Sequence, residues 1–313
     1  MLFTTIQFPF NKADPMSMSR VILLVSVALS LGSVAGMSQT NALPPLAPKA
    51  PLTARFEHLA FNVADPQAVV RWYTTHMGMT VVRADGPPAH LTFLTDSNRT
   101  MMLEFQHHVT NPLFDPSSLH HMTLHLAFNT PDIVNTQKRL LAAGATVAES
   151  LKTSAAGDQI VTLRDPWGLP LQLVQRKIPM LSRTGQYLEH VAINTEDSRT
   201  RAKWYSENLG FTVIQDGAAP AYAVFTADAG KRLMFELFQF KQYPVQDFRA
   251  IHPGSLHVGM MVDDIDTARD LLTRAGATVV ELHHSAQGDS FLVMRDPWGF
   301  PLHVLKRVKP ILK

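Results

Sequence analysis

His58-Leu59-Ala60-Phe61 is the first of four copies of one short motif, in which His is followed by Leu or Val, by Ala or Gly, and by an apolar residue. The other copies begin at His125, His190 and His257, so successive histidines are 67, 65 and 67 residues apart. Self-similarity at a nearly fixed spacing indicates a repeated structural unit. The chain is therefore predicted to consist of four copies of one unit.

A second polar residue follows each of these histidines, inside an otherwise apolar segment. It lies 46 or 47 residues further along the chain in every unit: Glu104, Gln172, Glu236 and His303. Each unit thus carries two side chains of the kinds that bind metal ions. A single inward-facing His in a strand is more often a hydrogen-bonded core residue. Eight polar residues at corresponding places in four units favour a site instead.

The first unit predicts a strand, a helix and three further strands. Residues 56–63 alternate in polarity as a strand does. Asp65-Pro66 suits the start of a helix, and Gly78 suits its end. Three short strands are predicted around residues 79–83, 89–95 and 100–106. The other units repeat this order, and their helices are predicted to start at Thr130-Pro131, at Asp197, and at Asp263 or Asp264.

The predicted fold class is therefore α+β, with four βαβββ units. An offset of 132 residues relates the motif histidines of the first two units to those of the last two. The units are accordingly predicted to pair as one with two and three with four, in domains at residues 53–178 and 186–309. The sequence leaves open whether units pair within one chain or across a homodimer.

Length, charge and cysteine content restrict the class of protein. With 313 residues, the chain is long enough for two domains. A net charge of +2 gives no case for the clustered basic face that nucleic acids require, so no nucleic-acid partner is expected. The chain contains no Cys, which excludes disulfides, thiolate metal sites and cysteine nucleophiles. Any metal must be bound by His, Glu, Asp, Gln or water.

The residues before the repeat predict export. Arg20 precedes an uncharged apolar run at residues 21–31 and small residues up to Ala35, which is the order of a signal peptide at about residues 16–35. Residues 1–37 are assigned to an N-terminal extension and this signal, and the proline-rich residues 38–52 to a stiff linker. The protein is expected in the periplasm or outside the cell, with membrane contact only through an uncleaved signal. A membrane anchor is the alternative, although a span needs about 20 apolar residues.

The segment between the first two units is rich in histidine and contains His107, His108, His120 and His121. It is interpreted as a solvated loop, and the mouth of the first site is the alternative. Tyr243, Phe248 and His252 occupy the equivalent segment between the last two units.

Two further motifs accompany the His strands. Trp72-Tyr73 and Trp204-Tyr205 occupy equivalent places in predicted helices, and Asp165-Pro166-Trp167-Gly168 recurs as Asp296-Pro297-Trp298-Gly299 in predicted turns. Together these features resemble the vicinal oxygen chelate superfamily, which includes glyoxalase I, extradiol ring-cleaving dioxygenases and bleomycin-resistance proteins. The resemblance implies two tandem domains, each with a curved sheet around a divalent metal ion. It specifies the fold more narrowly than the reaction, because one fold hosts many chemistries.

The resemblance also implies the metal ligands, which come from the first and last strands of the units. The implied first site is His58, Glu104, His125 and Gln172, and the implied second site is His190, Glu236, His257 and His303. Physical chemistry agrees, because a Glu in an apolar strand is costly unless it is paired or bound to a cation. Imidazole and carboxylate ligands suit Fe, Mn, Ni or Zn.

The last ligand position departs from the resemblance. Glyoxalase I and the extradiol dioxygenases typically have Glu there, whereas this sequence has Gln172 or His303. Glu104 and Glu236 are therefore the candidate catalytic carboxylates. The sequence predicts an exported, metal-dependent enzyme of dioxygenase or lyase type that acts on a small substrate with vicinal oxygens. A glyoxalase I-like lyase and a metal-free small-molecule binding protein of the bleomycin-resistance type are the alternatives.

Overall fold

A computed structural model describes residues 51–87 and 89–312 of the chain. The predicted signal peptide and residues 38–50 of the predicted linker lie outside the described residues. From residue 55 onward the chain forms four successive βαβββ units, so the predicted α+β fold class is confirmed.

The bounds of the elements follow the same order in every unit. The first unit contains β1 (Arg55–Asn62), α1 (Pro66–His76), β2 (Thr80–Ala84), β3 (Thr92–Thr95) and β4 (Met102–Gln106). The second contains β5 (Leu124–Asn129), α2 (Ile133–Ala142), β6 (Thr146–Thr153), β7 (Gln159–Arg164) and β8 (Pro170–Gln175). The third contains β9 (Tyr187–Asn194), α3 (Ser198–Leu209), β10 (Thr212–Asp216), β11 (Val224–Ala227) and β12 (Met234–Phe238). The fourth contains β13 (Leu256–Met261), α4 (Ile265–Arg274), β14 (Thr278–His284), β15 (Ser290–Arg295) and β16 (Pro301–Lys306).

The strands of the described region form two eight-stranded sheets. The first sheet has the order β14-β15-β16-β13-β1-β4-β3-β2, and the second has the order β10-β11-β12-β9-β5-β8-β7-β6. Within each unit the first and last strands are parallel neighbours. The two units of a sheet meet at an antiparallel central pair, β1 with β13 and β5 with β9.

The pairing of units predicted from the sequence is wrong. The first unit shares a sheet with the fourth, and the second shares a sheet with the third. The predicted segments 53–178 and 186–309 therefore each contribute one unit to either sheet. The connectors explain this arrangement, because residues 107–123 and residues 239–255 carry the chain from one sheet to the other, whereas the shorter segment 176–186 keeps units two and three together.

Two equivalent asparagines at the ends of β1 and β9 fasten the long connectors. The Nδ2 atom of Asn62 lies 3.0 to 3.2 Å from three carbonyl oxygens of the first connector, those of His108, Asn111 and Pro112. The Nδ2 atom of Asn194 lies 3.0 to 3.3 Å from the corresponding oxygens of Phe240, Tyr243 and Pro244. The side-chain amide of a buried asparagine thus satisfies backbone carbonyl groups of each long connector.

An aspartate caps the N-terminus of each of the four helices α1 to α4. The side chains of Asp65, Asp132, Asp197 and Asp264 each accept a hydrogen bond from a backbone N–H in the first turn. The second helix begins at Ile133 rather than at the predicted Thr130-Pro131, because Asp132 is its cap. No helix of the described region is long and apolar enough to span a membrane.

The helices join units whose strands lie in different sheets. Trp72 of the first unit donates its Nε1 hydrogen to the carbonyl oxygen of Ala143 in the second, at 2.8 Å. Trp204 and Ala275 make the same contact between units three and four, also at 2.8 Å. The strand faces that carry Leu59, Phe61 and their equivalents bury their side chains in this shared core.

Asp165 introduces a pH-dependent contribution to stability. It is buried and accepts hydrogen bonds from the Tyr73 hydroxyl and from the backbone N–H groups of Trp167 and Leu169. Burial nevertheless raises the pKa of Asp165 to about 6. Folding raises this pKa above its ordinary value of 3.8, so the protonated carboxyl group stabilises the folded state. This contribution to the free energy of unfolding is fully present below pH 3.8 and is lost as the pH rises through about 6.

We expect Asp165→Asn to gain stability relative to the wild type as the pH rises from about 4 to about 7.5. A shift of roughly two pKa units corresponds to about 3 kcal/mol, at 1.36 kcal/mol per unit. Urea unfolding of both proteins across this pH range measures the difference, and groups that titrate in both proteins cancel. A free-energy difference that stays constant with pH would contradict this assignment.

Candidate functional site

The predicted ligands lie opposite small residues on neighbouring strands. In the first sheet, the small residues that face His58, Glu104, His257 and His303 are Ala60 and Gly259. In the second sheet, those that face His125, Gln172, His190 and Glu236 are Ala127 and Ala192. The absence of bulky side chains at these positions leaves room for four large ligand-type side chains on each sheet.

The first site consists of His58, Glu104, His257 and His303. The Nε2 atoms of His58 and His257 are 3.2 Å apart, and the Nδ1 atom of His303 is 3.2 Å from Nε2 of His257. Glu104 Oε2 lies 3.4 Å from Nε2 of His58. The three imidazoles therefore form one cluster between units one and four, and Glu104 contacts this cluster through His58.

The second site contains His125, His190 and Glu236, and the register of β8 places Gln172 on the neighbouring strand. Glu236 Oε2 lies 3.1 Å from Nε2 of His190 and 3.9 Å from Nε2 of His125. Gln172 occupies the register position on β8 that His303 has on β16. This set therefore replaces one imidazole of the first site by an amide.

The grouping of ligands predicted from the sequence is corrected accordingly. His58 and Glu104 meet His257 and His303, not His125 and Gln172. His190 and Glu236 meet His125, and not His257 and His303. The reason is the strand order, which places β13 beside β1 and β5 beside β9.

Two buried glutamates that contact ligand histidines were not among the site residues predicted from the sequence. Glu57 Oε2 is 2.7 Å from Nδ1 of His58, and Glu189 Oε2 is 2.9 Å from Nδ1 of His190. Each glutamate is paired with an arginine of the other unit in its sheet, Arg307 for Glu57 and Arg176 for Glu189. The signal was available, because Glu precedes the motif His in units one and three alone.

The electrostatic environment keeps most of the imidazoles neutral. Burial lowers the pKa of His125 to about 4 and that of His257 to about 3, and it holds the pKa of His303 well below its ordinary range. Burial opposes ionisation of Glu57 and Glu189, but the adjacent His and Arg partners lower both pKa values to about 2.

The two ligand carboxylates differ. Burial raises the pKa of Glu104, whereas the contacts of Glu236 with His190 and His125 outweigh burial and lower its pKa. Burial also opposes a charge on His190, but Glu189 and Glu236 raise its pKa.

Both sites fit a divalent transition-metal ion. The Nε2 atoms of His125, His190 and His303 are buried and have no hydrogen-bond partner, and the short contact of His190 with Glu236 is not aligned as a hydrogen bond. Within each site, three potential ligand atoms lie within 4.8 Å of one another. A neutral imidazole with an unpartnered nitrogen in a buried cluster is the state that a metal ion requires.

A cavity of about 680 Å³ opens onto the first site. Phe93 and Phe291 form an aromatic wall, and Gln106, Asn111 and the rim histidines form a polar wall. The rim histidines are His108 and His252. The cavity thus offers aromatic side chains and hydrogen-bonding groups beside one ligand cluster.

The histidine-rich connector divides between two environments. His108 is exposed, as expected of the solvated loop that the sequence favoured, and it also lines the cavity, which was the alternative. His120 instead stacks between His121 and Tyr243, with ring centroids 4.4 and 5.0 Å away.

Gly259 determines where the His58 ring lies. A Cβ atom at this position would overlap the Cε1 and Nδ1 atoms of His58. We expect Gly259→Ala to displace the imidazole and to weaken metal binding at the first site about tenfold or more, since overpacking costs about 1–3 kcal/mol. Metal affinity measured by chelator competition tests this.

The matched control for this variant is Ala127→Gly, because Ala127 faces His190 in the second sheet as Gly259 faces His58 in the first. This change removes a methyl group and should leave both affinities within about twofold, since it introduces no overlap. Unchanged affinity in Gly259→Ala would show that the first site tolerates a displaced His58.

Comparison with protein families gives two matches. The sequence model of the Glyoxalase/Bleomycin resistance protein/Dioxygenase superfamily matches residues 55–173, and that of the Glyoxalase-like domain matches residues 190–305. A search of curated proteins finds no match.

Solved structures share the fold. Glyoxalase I from Zea mays is 19% identical with a TM-score of 0.66, and the match covers 81% of this chain and 92% of the enzyme. A putative dioxygenase from Bacillus subtilis subsp. subtilis str. 168 is 13% identical with a TM-score of 0.58, covering 84% of this chain and 88% of that protein. At these identities the likeness concerns the fold alone.

Proposed function

The chain belongs to the Glyoxalase/Bleomycin resistance protein/Dioxygenase superfamily, and on this premise we propose that it is a divalent-metal-dependent enzyme. Its substrate is a small molecule with two neighbouring oxygen atoms, and its active site is the first site. The observation that carries the proposal is the cluster of His58, His257 and His303, with Glu104 beside His58, in the lining of a cavity of about 680 Å³.

The residues around the cavity have separate roles in this proposal. His58, Glu104, His257 and His303 would hold the ion, which would supply Lewis-acid stabilisation of negative charge on the substrate oxygens. Phe93 and Phe291 orient a planar substrate and exclude water from one side, and the polar wall hydrogen-bonds its substituents. Glu104, the carboxylate of this set, would act as a ligand, or as the base that accepts the substrate proton when the substrate displaces it.

The ligand set favours dioxygenase or lyase chemistry on a catechol, vicinal diol or hydroxy-ketone over the glyoxalase reaction. Glyoxalase chemistry needs a carboxylate free to move the substrate proton at the last ligand position. Imidazole occupies that position in the first site and an amide occupies it in the second. The aromatic wall further supports a planar substrate such as a catechol.

The test uses purified protein loaded separately with Fe, Mn, Ni, Co and Zn. Oxygen consumption with a panel of catechols is measured beside formation of lactoylglutathione from its hemithioacetal precursor. Glu104→Gln and Glu236→Gln form a matched pair, because they make the same change at the two sites. Catechol turnover should be lost in Glu104→Gln and retained in Glu236→Gln.

Other outcomes identify the alternatives. Less than about a tenth of an ion per chain after reconstitution would mean that the metal proposal is wrong, and aromatic binding by such a protein would support a metal-free binding role. Lactoylglutathione formation that survives both Glu→Gln changes would reverse the order of the two reactions.

We also propose that the protein is exported. The support is the order of Arg20, the apolar run at residues 21–31 and the small residues that follow. A fusion of residues 16–50 to a reporter that is active only outside the cytoplasm should report export. Retention in the cytoplasm would contradict this proposal and make a glutathione-linked substrate plausible.

A further inference from the structure

We infer that Arg307 and Arg176 are positioning residues, which orient the metal-binding imidazoles of His58 and His190 through the intervening Glu57 and Glu189. The inference rests on the metal binding of the proposed function and concerns both sites. The arginines touch neither ligand nitrogen directly.

The contacts at the first site form a continuous chain. Nδ1 of His58 is 2.7 Å from Glu57 Oε2, and Arg307 donates from Nη2 to the same oxygen at 3.0 Å and from Nε to Oε1. Asp289 Oδ2 lies 3.5 Å from Nη1 of Arg307. All of these groups except Asp289 are nearly fully buried, so each charge depends on its neighbour for compensation.

The second site repeats the chain with different residues. Nδ1 of His190 is 2.9 Å from Glu189 Oε2, and Arg176 donates to both oxygens of that carboxylate at 2.7 to 3.3 Å. Asp158 Oδ2 accepts from Nη1 of Arg176 at 2.9 Å. Recurrence of the same four residue types at both sites indicates that this chain of contacts has a role at the ligand histidines.

The chain fixes which imidazole nitrogen faces the ligand cluster. A carboxylate that accepts a hydrogen bond from Nδ1–H leaves Nε2 unprotonated and directed at the metal position. The Nε2 atom of His58 is the one that approaches His257 and Glu104. In contrast, His125 and His257 are oriented by the backbone carbonyls of His121 and Pro253. Each site therefore has one imidazole held by a charged chain and one held by backbone.

A ring contact immobilises the same imidazole from the side. The guanidinium carbon of Arg307 is 5.8 Å from the centre of the Phe93 ring, and that ring meets His58 edge-on at 5.6 Å. Arg176, Phe225 and His190 make the equivalent contacts at 5.6 and 5.4 Å. In each site the Arg and the His that it positions belong to different units. The orientation of the imidazole is therefore fixed only when these two units share a sheet.

The experiment measures Co(II) and Zn(II) affinity by chelator competition in Arg307→Met and Arg176→Met. Each variant is also made in a background with a single site, His190→Ala for the first site and His58→Ala for the second. Loss of a partner of this kind typically weakens metal affinity 10- to 100-fold. We expect that loss at the first site alone in Arg307→Met and at the second site alone in Arg176→Met, with a changed Co(II) absorption band.

Two further variants separate positioning from folding. Arg307→Lys should recover part of the affinity, because the ammonium keeps the charge of the pair. Glu57→Gln with Arg307→Met removes both charges together and should fold, yet still bind weakly at the first site. A folded Arg307→Met protein with wild-type affinity, or with equal losses at both sites, would overturn the inference while leaving the proposed function intact. A wild-type chain that binds no metal would overturn both.

Discussion

Replacing His58 and His125 together by Ala should remove both ions from the reconstituted chain, whereas replacing His58 and His257 together should remove only one. His58 and His257 belong to one site, with their Nε2 atoms 3.2 Å apart, and His125 belongs to the other. Loss of one ligand imidazole leaves too few ligand atoms to hold an ion at that site. The second His→Ala change therefore removes a further ion only if it lies in the other site.

Elemental analysis of Zn(II) per chain, after reconstitution and removal of free metal, measures this expectation. His284→Ala is the control, because this exposed His contacts Ser290 and lies in neither ligand set. Loss of two ions in His58→Ala with His257→Ala, and of one in His58→Ala with His125→Ala, would restore the grouping that the repeat alone suggested.

The repeat predicted the unit and its ligands because both depend on local pattern. Alternation around His58 places the imidazole on one face of a strand, and the spacing to Glu104 places the carboxylate on the last strand of the same unit. These relations hold within about 50 residues and recur four times, so one sequence shows them in four copies. The fold class follows from the same pattern.

The pairing of units depends on a choice that the pattern does not contain. Glu57 and Glu189 each need a buried cationic partner, and Arg176 and Arg307 follow the last ligand of units two and four by four residues. This pattern requires unit one or unit three to pair with unit two or unit four. Pairing of unit one with unit two satisfies it as well as pairing of unit one with unit four. Connector length distinguishes them, because the shorter segment 176–186 retains units two and three in one sheet.

The two halves also differ in ways that a repeat cannot reveal. Phe291 lies beside His303 and adds an aromatic face to the first site. The residue at the equivalent register position in the second sheet is Ile160. Of the two aromatic residues of this cavity, Phe291 therefore breaks the repeat, whereas Phe93 has an equivalent in Phe225. Their effect depends on which side chains face one another across units, and local sequence does not determine that.

Arg201→Met should cost about 3–5 kcal/mol of unfolding free energy, the typical cost of leaving a buried charge without its partner. Arg201 is 1% exposed, and its Nη2 atom donates to Asp296 Oδ2 at 2.8 Å. The Tyr205 hydroxyl donates to the same oxygen at 2.6 Å. Met keeps most of the side-chain volume, so the loss reports the charge rather than a cavity.

Two comparisons make this expectation specific to the buried pair. Arg199→Met lies on the same helix but breaks an exposed pair with Asp216, which should cost no more than about 1 kcal/mol. Arg201→Met with Asp296→Asn removes both buried charges and keeps the acceptor oxygen for the backbone N–H groups of Trp298 and Phe300, so it should recover most of the loss. Urea unfolding of metal-free protein near neutral pH measures all three variants. If the double variant is as unstable as Arg201→Met, packing of Arg201 against Trp298 and Phe300 rather than compensation of Asp296 holds this half of the core together.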